Sequence, residues 1–473
     1  MAISSSTMTL IAVVMCIYFV AMIGISWMGR KYGKTFDEAI SAGRNCGVLM
    51  IIGSAVGSHI GNGFVVGGAA SGALAGISGA WYGIGCAISY LVMALTINKV
   101  VYRAGYISLP EMLEARYGEK MTSVIFSVTT ALSYIANIAA QLMAGKALFE
   151  ALGFNGTLGV WVIAIVVVAY SMISGLWGAA ATSVAQVGII IVSLVVTTAI
   201  LLGNGALGVV NDAIAAGKVP STYWDMGVDG IAAILITCIP ISLAALCEQC
   251  TVQRIASAKS EKHAFWGLVL SFVIMIPAAL MPAFIGMYGN VRYNDTTNAV
   301  FFHVALEVLP PLAAALLIAA VVAAIMSTID TMFVAFSTIM LHNIYRGMIN
   351  PNVSEKTLKR GDFIVHVSLC VVSAFVALQF SSILELLWAM YNFCAACCFA
   401  PFIGGLFWKG GTAKGAIASA ITGFIYIALN MIGIIPSTTI LSMFSFLPAA
   451  VAYVAVSLLD KKNTKGDPEI ASV

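Results

Sequence analysis

Long apolar segments separated by short polar stretches run through almost the whole chain. A helix needs about 20 apolar residues to cross a hydrocarbon core about 30 Å thick. About thirteen such runs predict membrane-spanning helices near residues 7–28, 48–74, 78–98, 123–149, 157–177, 181–203, 230–250, 264–288, 311–341, 363–380, 384–408, 414–434 and 438–459. Hydrophobic residues make up 61% of the 473 positions and charged residues 9%, so the fold class is predicted to be an all-α polytopic membrane protein.

The basic residues collect in every second predicted loop. They are Arg30, Lys31, Lys34 and Arg44, then Lys99, Arg103, Arg116 and Lys120, then Arg254, Lys259 and Lys262, then Arg346, Lys356, Lys359 and Arg360, then Lys409 and Lys414, and finally Lys461, Lys462 and Lys465. Cytoplasmic loops are enriched in Lys and Arg, so we predict a cell-membrane protein with its N-terminus outside and its C-terminus in the cytoplasm. A net charge of +3 spread along one face of the bilayer gives no indication of nucleic-acid binding.

The second predicted span is interrupted by glycines. They lie at positions 53, 57, 61, 63, 67, 68 and 72, around Ser58, His59 and Asn62. Small residues at four-residue spacing allow close packing of membrane helices. A Gly61-Asn62-Gly63 triplet near mid-membrane also predicts a locally unwound helix, which membranes tolerate only where it lines protein or water.

A second interrupted span follows five helices later. Residues 230–258 contain Pro240 and the polar stretch Cys247-Glu248-Gln249-Cys250-Thr251. Two broken helices at this separation predict an inverted repeat, in which both breaks hold a solute and its coupling ion near the midplane. The predicted units are an N-terminal helix and inner loop over 1–47, a first repeat over 48–203, an outer loop over 204–229, a second repeat over 230–409, and two further helices with a short tail over 410–473.

One helical turn of the ninth span is unusually polar. Ser327, Thr328, Asp330 and Thr331 lie within an otherwise apolar stretch. An ionisable group at membrane depth costs roughly 2.5–3.5 kcal/mol on insertion scales, and such groups usually face a cavity or an ion path. Hydroxyl and backbone oxygens suit a hard cation. The alternative is that the hydroxyls bond to carbonyls one turn earlier and need no ligand.

Several short motifs, in this order and topology, resemble the sodium:solute symporter family over nearly the whole chain. They are Ser41-Ala42-Gly43-Arg44, Ile60-Gly61-Asn62-Gly63 with Gly67, Ser174-Gly175-Leu176-Trp177, Ala181-Thr182-Ser183 with Gln186, Val252-Gln253-Arg254, Ala324 to Thr328, and Gly404 to Lys409 with Gly415-Ala416. The resemblance implies a leucine-transporter-like inverted repeat that works by alternating access. It also implies a sodium ion held by the carbonyls of Gly57, Ile60 and Ala324 and the hydroxyls of Ser327 and Thr328.

A second cation is less clearly implied. Family members with a second sodium commonly have Thr-Asp where this chain has Thr182-Ser183. The missing charge is supplied if Asp330 and Thr331 join Ser183 around a second cation. In the alternative, Asp330 is a structural hydrogen-bond acceptor.

Position in the family fold also implies candidate solute contacts. They are His59, Asn62 and Phe64 at the first break, Ser242 and Glu248 near the second, and Trp388, Tyr391 and Asn392 in the eleventh span. A carboxylate such as that of Glu248 favours an amino group on the solute, unless it is protonated or paired with His59. Because choline-transporting relatives carry an aromatic residue where this chain has His59, a quaternary ammonium in an aromatic cage is disfavoured.

Other functional classes fit the sequence less well. A passive channel needs a continuous polar pore, and a solute sensor needs an output domain that the 13 residues after Asp460 do not provide. The C-x-x-C pairs at Cys247 and Cys394 lack partner metal ligands, and no nucleophile, base and oxyanion donor occur at the spacing of an enzyme site. We therefore predict a sodium-coupled symporter of an amine-bearing metabolite such as an amino acid, with a monocarboxylate or sugar as the alternative solute.

Overall fold

The computed structural model of the protein describes residues 5–29, 35–171, 175–435 and 444–460. Within these residues the chain is helical, and its only β-type pairing is an isolated parallel bridge between Cys46 and Ala258. The predictions that lie outside the described residues concern Arg30, Lys31, Lys34, Ser174, positions 438–443, Lys461, Lys462 and Lys465.

The α-helices are numbered in chain order. They are α1 Ser5–Gly29, α2 Phe36–Ser41, α3 Val48–His59, α4 Gly68–Ala75, α5 Trp81–Thr96, α6 Asn98–Ala104, α7 Leu109–Tyr117, α8 Lys120–Ala151, α9 Gly156–Ser171, α10 Leu176–Gly203, α11 Ala206–Ala215, α12 Gly230–Leu246, α13 Gln249–Ala256, α14 Glu261–Tyr293, α15 Val300–Glu307, α16 Pro311–Ser337, α17 Glu355–Ala377, α18 Ile383–Phe407, α19 Ala413–Met431 and α20 Phe446–Leu459. Two π-helices, Gly63–Gly67 and Thr338–Ile349, and two 3₁₀ turns, Ala42–Arg44 and Gly76–Ala80, complete the described secondary structure.

The helices confirm a polytopic all-α membrane protein. Nine helical stretches in the described residues are long and apolar enough to cross a membrane, or ten when the bent pair α12 and α13 forms one span. The shorter apolar helices α3, α9 and α20 coincide with further predicted spans. The total of about thirteen spans stays a prediction.

Two predicted span boundaries were wrong. The fifth run was expected to continue to residue 177 and the sixth to begin at 181, but α9 ends at Ser171 and α10 begins at Leu176. Leu176 and Trp177 are apolar, so hydropathy alone assigned them to the earlier span, whereas the extended backbone of Gly175 separates the two helices. The ninth span continues beyond residue 341 as a π-helix to Ile349, where Arg346 Nη1 donates to Asp37 Oδ2 at 3.1 Å.

Two arginines that were counted among the inner-loop charges are buried instead. Arg116 is 1% exposed and Arg254 is 2% exposed. Arg116 Nε donates to Gly405 O at 2.7 Å and its Nη2 to Trp408 O at 2.9 Å, so carbonyl oxygens at the end of α18 replace the water that a loop would offer. Arg254 lies in the last turn of α13, after the second break.

Both explanations of the glycine-rich second span hold, at different positions. A Cβ on Gly53 would lie 2.7 Å from Val184 N, and one on Gly72 would overlap the backbone of Ala283, so these glycines allow close packing against α10 and α14. Around Gly61 the helix is interrupted instead, because α3 ends at His59 and a π-helical turn begins at Gly63. The second break separates α12 from α13, which are bent by 52°.

Candidate sodium and solute sites

The first break is held open by a side chain from α8. Asn62 N donates to Gln141 Oε1 at 2.9 Å, and Asn62 Nδ2 donates to Gln141 O at 2.7 Å. A Cβ on Gly61 would lie only 2.7 Å from the same Gln141 oxygen and 2.8 Å from Thr328 Oγ1. Gln141 therefore satisfies one backbone N–H that the broken helix does not pair internally, together with the side-chain amide of Asn62. Gly61 leaves room for it.

Four oxygens meet where the end of α3 faces α16. Ser327 Oγ lies 2.8 Å from Gly57 O and 3.1 Å from Ala324 O, while Thr328 Oγ1 lies 3.1 Å and 2.9 Å from the same two carbonyls. The bonds to Ala324 are the within-helix bonds expected of a purely structural Ser-Thr pair. The bonds to Gly57 join a second helix, and all four residues are buried.

This arrangement fits a dehydrated alkali ion. Two carbonyls and two hydroxyls give an all-oxygen, uncharged set, and hydroxyl hydrogens can rotate away when the lone pairs are needed for a cation. Ile60, the fifth expected ligand, caps α3 with φ −75° and ψ 52°, so it departs from helical geometry beside the cluster.

The residues expected around a second cation lie next to this cluster. The position of a Cβ on Gly57 is 3.3 Å from both Ser183 Cβ and Ser327 Cβ, so Ser183 of α10 approaches the same carbonyl-bearing turn. The buried Ser183 Oγ has no hydrogen-bond partner in the described residues. On α16, Asp330 is 1% exposed, and Thr331 Oγ1 donates to Ser327 O at 3.0 Å.

Glu248 and Tyr391 are brought together in a small central cavity. Glu248 is the N-cap residue of α13 and lies at the bend of the second break. Tyr391 OH lies 3.4 Å from Tyr82 OH. The described lining of this cavity is Thr130, Ser133, Tyr134, Ala244, Glu248, Met390, Tyr391 and Cys394.

Three other candidate solute contacts, His59, Phe64 and Trp388, lie outside the described lining of the central cavity. His59 Nδ1 bonds to Tyr90 OH, and no ion pair with Glu248 is found in the described part of the chain. Phe64 is buried at 2% exposure against Gly83. Trp388 is 41% exposed and lines a different cavity.

Two further candidates do not reach the central cavity. Asn392 Nδ2 donates within its own helix to Trp388 O at 2.9 Å. Ser242 is half-buried on α12, outside the described lining of the central cavity. Of the eight candidate solute contacts, the structure therefore brings only Glu248 and Tyr391 to this cavity.

Arg254 joins α3 of the first broken helix to α13 of the second, a role that the sequence did not reveal. Its Nε donates to Ser54 Oγ at 3.1 Å, and its Nη2 donates to Ser58 Oγ at 2.8 Å and to Ser54 O at 3.2 Å. The guanidinium carbon lies 5.9 Å from the Tyr90 ring centroid, within cation–π range. Val252-Gln253-Arg254 was noted as a motif, but its partners are about 200 residues away in sequence.

Main-chain hydrogen bonds join the residues before α3 to those after α13. Cys46 N donates to Ser257 O at 3.1 Å, and Lys259 N donates to Cys46 O at 2.9 Å. These residues precede α3 and follow α13, so the bridge joins the beginning of the first broken span to the end of the second.

Side chains of α18 pack against the first broken helix. Leu387 packs against Gly63, and Leu384 Cγ lies 2.9 Å from the position that a Cβ would take on Gly67. The two leucines thus cover the π-helical turn that follows the first break.

Solved structures with this fold are transporters. A Na⁺-coupled sialic acid symporter in a substrate-bound outward-open state superposes with a TM-score of 0.81 at 16% identity, covering 95% of this chain and 97% of that one. Mhp1, a nucleobase-cation-symport-1 family transporter, superposes in its closed conformation with a TM-score of 0.58 at 14% identity, over 89% and 92% of the two chains. These likenesses confirm the leucine-transporter-like fold.

Curated relatives are similar over nearly the full length. The sodium/proline symporter of Escherichia coli (strain K12) is 25% identical, with 95% of this chain and 93% of the relative covered. Sodium/glucose cotransporter 1 of Oryctolagus cuniculus is 24% identical, over 87% and 70% respectively. The sequence model of the sodium:solute symporter family matches residues 40–423. Because this match includes both breaks and the oxygen cluster formed by α3 and α16, the chain belongs to the sodium:solute symporter family.

Proposed function

We propose that the protein imports an α-amino acid together with sodium by alternating access. The observation that carries the proposal is the oxygen cluster of Gly57, Ala324, Ser327 and Thr328, which joins the first break to α16. A sodium ion there would be held by these oxygens with Ile60. The similarity to sodium/proline symporters and the carboxylate of Glu248 in the central cavity support an amine-bearing solute.

The sodium site and the central cavity are expected to be coupled because hydrogen bonds connect the end of α3 to a helix that lines the cavity. Sodium would order the end of α3, and Asn62 and Gln141 connect this end to α8, which lines the central cavity through Thr130, Ser133 and Tyr134. Ordering this backbone for one ligand lowers the cost of binding the other, and the coupling must be equal in both directions. Glu248 would pair with the solute ammonium, and Tyr391 would offer a hydroxyl.

The alternation of loop charges supports an N-terminus outside and a C-terminus in the cytoplasm. Lys356 and Lys359 are exposed in the first turns of α17, where Glu355 Oε2 accepts a hydrogen bond from Phe36 N of α2 at 2.8 Å. In this orientation the bridge and Arg254 lie toward the cytoplasm, and Leu384 and Leu387 near the start of α18 lie toward the outside.

An inward sodium gradient is expected to drive uptake of L-proline into proteoliposomes. An equal proton gradient should not do so, because the site is an uncharged oxygen cage rather than a titratable group. Radiolabelled uptake with each gradient is the measurement. Uptake that follows a proton gradient and ignores sodium would contradict the proposal.

Competition between labelled and unlabelled solutes in the same vesicles identifies the class of solute. Unlabelled α-amino acids should compete with the labelled solute, whereas acetate and D-glucose should not. Competition by glucose or by a monocarboxylate alone would favour the corresponding alternative solute over an amino acid.

We further propose a second cation position formed by Ser183, Asp330 and Thr331. A buried carboxylate in the membrane is costly unless it is protonated, hydrogen-bonded or paired with a cation, and the unpartnered Ser183 Oγ provides a further neutral ligand. The acidic ligand of the second cation would then be Asp330 on α16, whereas family members with Thr-Asp carry it at the position of Ser183 on α10.

Asp330→Asn is expected to lower the sodium-to-solute ratio from two to one, because the charge that holds the second ion is lost. Reversal potentials in proteoliposomes measure this ratio. Asp212→Asn is the matched control, since Asp212 is exposed on α11. A ratio that Asp330→Asn leaves unchanged would assign Asp330 a structural role.

A further inference from the structure

A groove of about 470 Å³ lies beside the Cys46–Ala258 bridge, where α3, α10 and α14 begin. We name it the bridge groove. Its described lining consists of Asn45 and Gly47 before α3, Val48, Leu49 and Met50 in the first turn of α3, Trp177 in the first turn of α10, Lys259 before α14, and His263 in the first turn of α14. This volume is within the range of small-molecule sites, about 300–1,000 Å³.

Lys259 gives the bridge groove a positive charge that no neighbouring acid neutralises. The described lining contains neither Asp nor Glu, and Lys259 makes no ion pair within 4.0 Å in the part of the chain that the structure describes. Glu261, the nearest acid along the sequence, is paired with Arg103 Nε at 3.0 Å instead. A concave surface with charge of one sign concentrates ions of the opposite sign, so the groove favours an anion.

His263 supplies a second polar group to the same wall. Ser260 Oγ accepts a hydrogen bond from His263 N at 3.3 Å and lies 2.7 Å from His263 Nδ1. When the hydroxyl donates to Nδ1, the ring hydrogen is on Nε2, and the ring makes no other hydrogen bond within the described residues. His263 Nε2 is therefore a hydrogen-bond donor that an anion in the groove can use beside Lys259.

Exposed apolar side chains continue from the bridge groove along the protein surface. Leu49 is exposed on α3, and Trp266, Leu270 and Val273 are exposed on α14. The spacing of three and four residues places these three on the same face of α14 as His263. Because α14 is long and apolar enough to span a membrane, this face is available to acyl chains, and Trp is enriched at the level of the lipid headgroups.

We propose that the bridge groove binds an anionic phospholipid, with the headgroup phosphate at Lys259 and His263 and an acyl chain along the exposed face of α14. A basic pocket between membrane helices suits such a headgroup. A soluble anion would use the charge of Lys259 but not the adjoining apolar face. The combination of the two therefore favours a lipid.

A lipid bound in this groove would stabilise the bridge itself. Asn45 and Gly47 flank Cys46, and Lys259 N donates to Cys46 O at 2.9 Å. The lipid would thus contact residues on both sides of the bridge. A ligand that binds one conformation more tightly shifts the population toward it, so this lipid favours the conformation in which the ends of the two broken spans are joined.

The test measures lipid binding to the purified protein in a non-ionic detergent by native mass spectrometry. The probes are palmitoyl-oleoyl phosphatidylglycerol and the phosphatidylcholine with the same acyl chains, which carries no net charge. Inorganic phosphate is added as a competitor. We expect the first phosphatidylglycerol to bind more tightly than phosphatidylcholine and phosphate not to displace it.

Lys259→Gln should weaken the first phosphatidylglycerol about fivefold, the contribution of one lysine at an anionic membrane surface. Lys259→Arg should bind like the parent. Lys262→Gln is the matched control, because Lys262 is exposed in the first turn of α14 but is not part of the described lining. Melting temperatures like that of the parent in lipid-free detergent verify that the variants are folded.

Hydrogen exchange reports the effect on the bridge. Phosphatidylglycerol should slow exchange of the peptide that contains the Lys259 amide, and it should do so less in Lys259→Gln, which keeps this N–H. Unaltered exchange in the lipid-bound parent would overturn the stabilisation of the bridge.

Three results would overturn the binding site. They are equal affinity for the two lipids, an unchanged Lys259→Gln variant, and an equal loss in Lys262→Gln, which would indicate general attraction to surface charge. Displacement by phosphate would identify a soluble-anion site instead of a lipid site. Sodium and solute are absent from these measurements, so their outcome is independent of the proposed function.

Discussion

Alanine at both Ser327 and Thr328 is expected to lower sodium affinity about a hundredfold or more. Each hydroxyl contacts the carbonyls of Gly57 and Ala324, and losing one ligand leaves the remaining shell incomplete. An unmet buried polar group costs about 1–3 kcal/mol, which is roughly five- to hundredfold in affinity for each single variant. Direct sodium titration by calorimetry or thermal shift measures the effect.

The matched control for this pair is Ser193→Ala. Ser193 is a buried hydroxyl of α10 that donates to Leu316 O of α16 at 3.2 Å, so it makes the same kind of interhelical contact away from the cluster. It should bind sodium like the parent. If the double variant also does so, the ion lies elsewhere.

Gly61→Ala is expected to damage the sodium site and the first break together. The new Cβ would lie 2.7 Å from Gln141 Oε1 and 2.8 Å from Thr328 Oγ1, so both side chains must move. Overpacking of this kind costs about 1–3 kcal/mol, and here the displaced atoms are a proposed ion ligand and the acceptor of Asn62 N. We expect sodium affinity to fall about tenfold or more.

Gly188→Ala provides the comparison. Gly188 lies in α10 with nothing within 4 Å of a Cβ, so alanine there tests only the change in helix propensity, about 1 kcal/mol in favour of Ala. It should keep parental sodium affinity and melt no lower than the parent. Equal sodium affinity in both glycine variants would mean that Gly61 does not shape the ion site.

The interrupted helices were predictable because their signals are local. Gly61-Asn62-Gly63 and Cys247-Glu248 are adjacent residues whose polarity conflicts with an apolar span, and the structure places both breaks at these positions. The Ser327-Thr328 turn was equally visible, and its contact with Gly57 agrees with the ligand set that the family resemblance implied. The family, the fold and the sodium-coupled class of transporter are confirmed.

The partners of these breaks could not be read from the sequence. Gln141 looks like one polar residue of a long helix, yet it satisfies Asn62, 79 positions away. Arg116 and Arg254 looked like loop charges because hydropathy describes the neighbourhood along the chain and not the carbonyls that a folded protein brings near. The family resemblance implied Trp388 as a solute contact, but this side chain lines a different cavity from Glu248 and Tyr391.

The bridge between Cys46 and Ala258 has a consequence for how this transporter can vary among species. Its two hydrogen bonds use only main-chain atoms, so they do not depend on the chemistry of the side chains at positions 46, 257 and 259. Burial limits the size of the side chain at positions 46 and 257. Proline at position 46 or 259 is the exception, because it lacks the required N–H. The closure of this end can therefore persist while its sequence drifts, and aligned homologues would show little trace of it beyond a lack of proline.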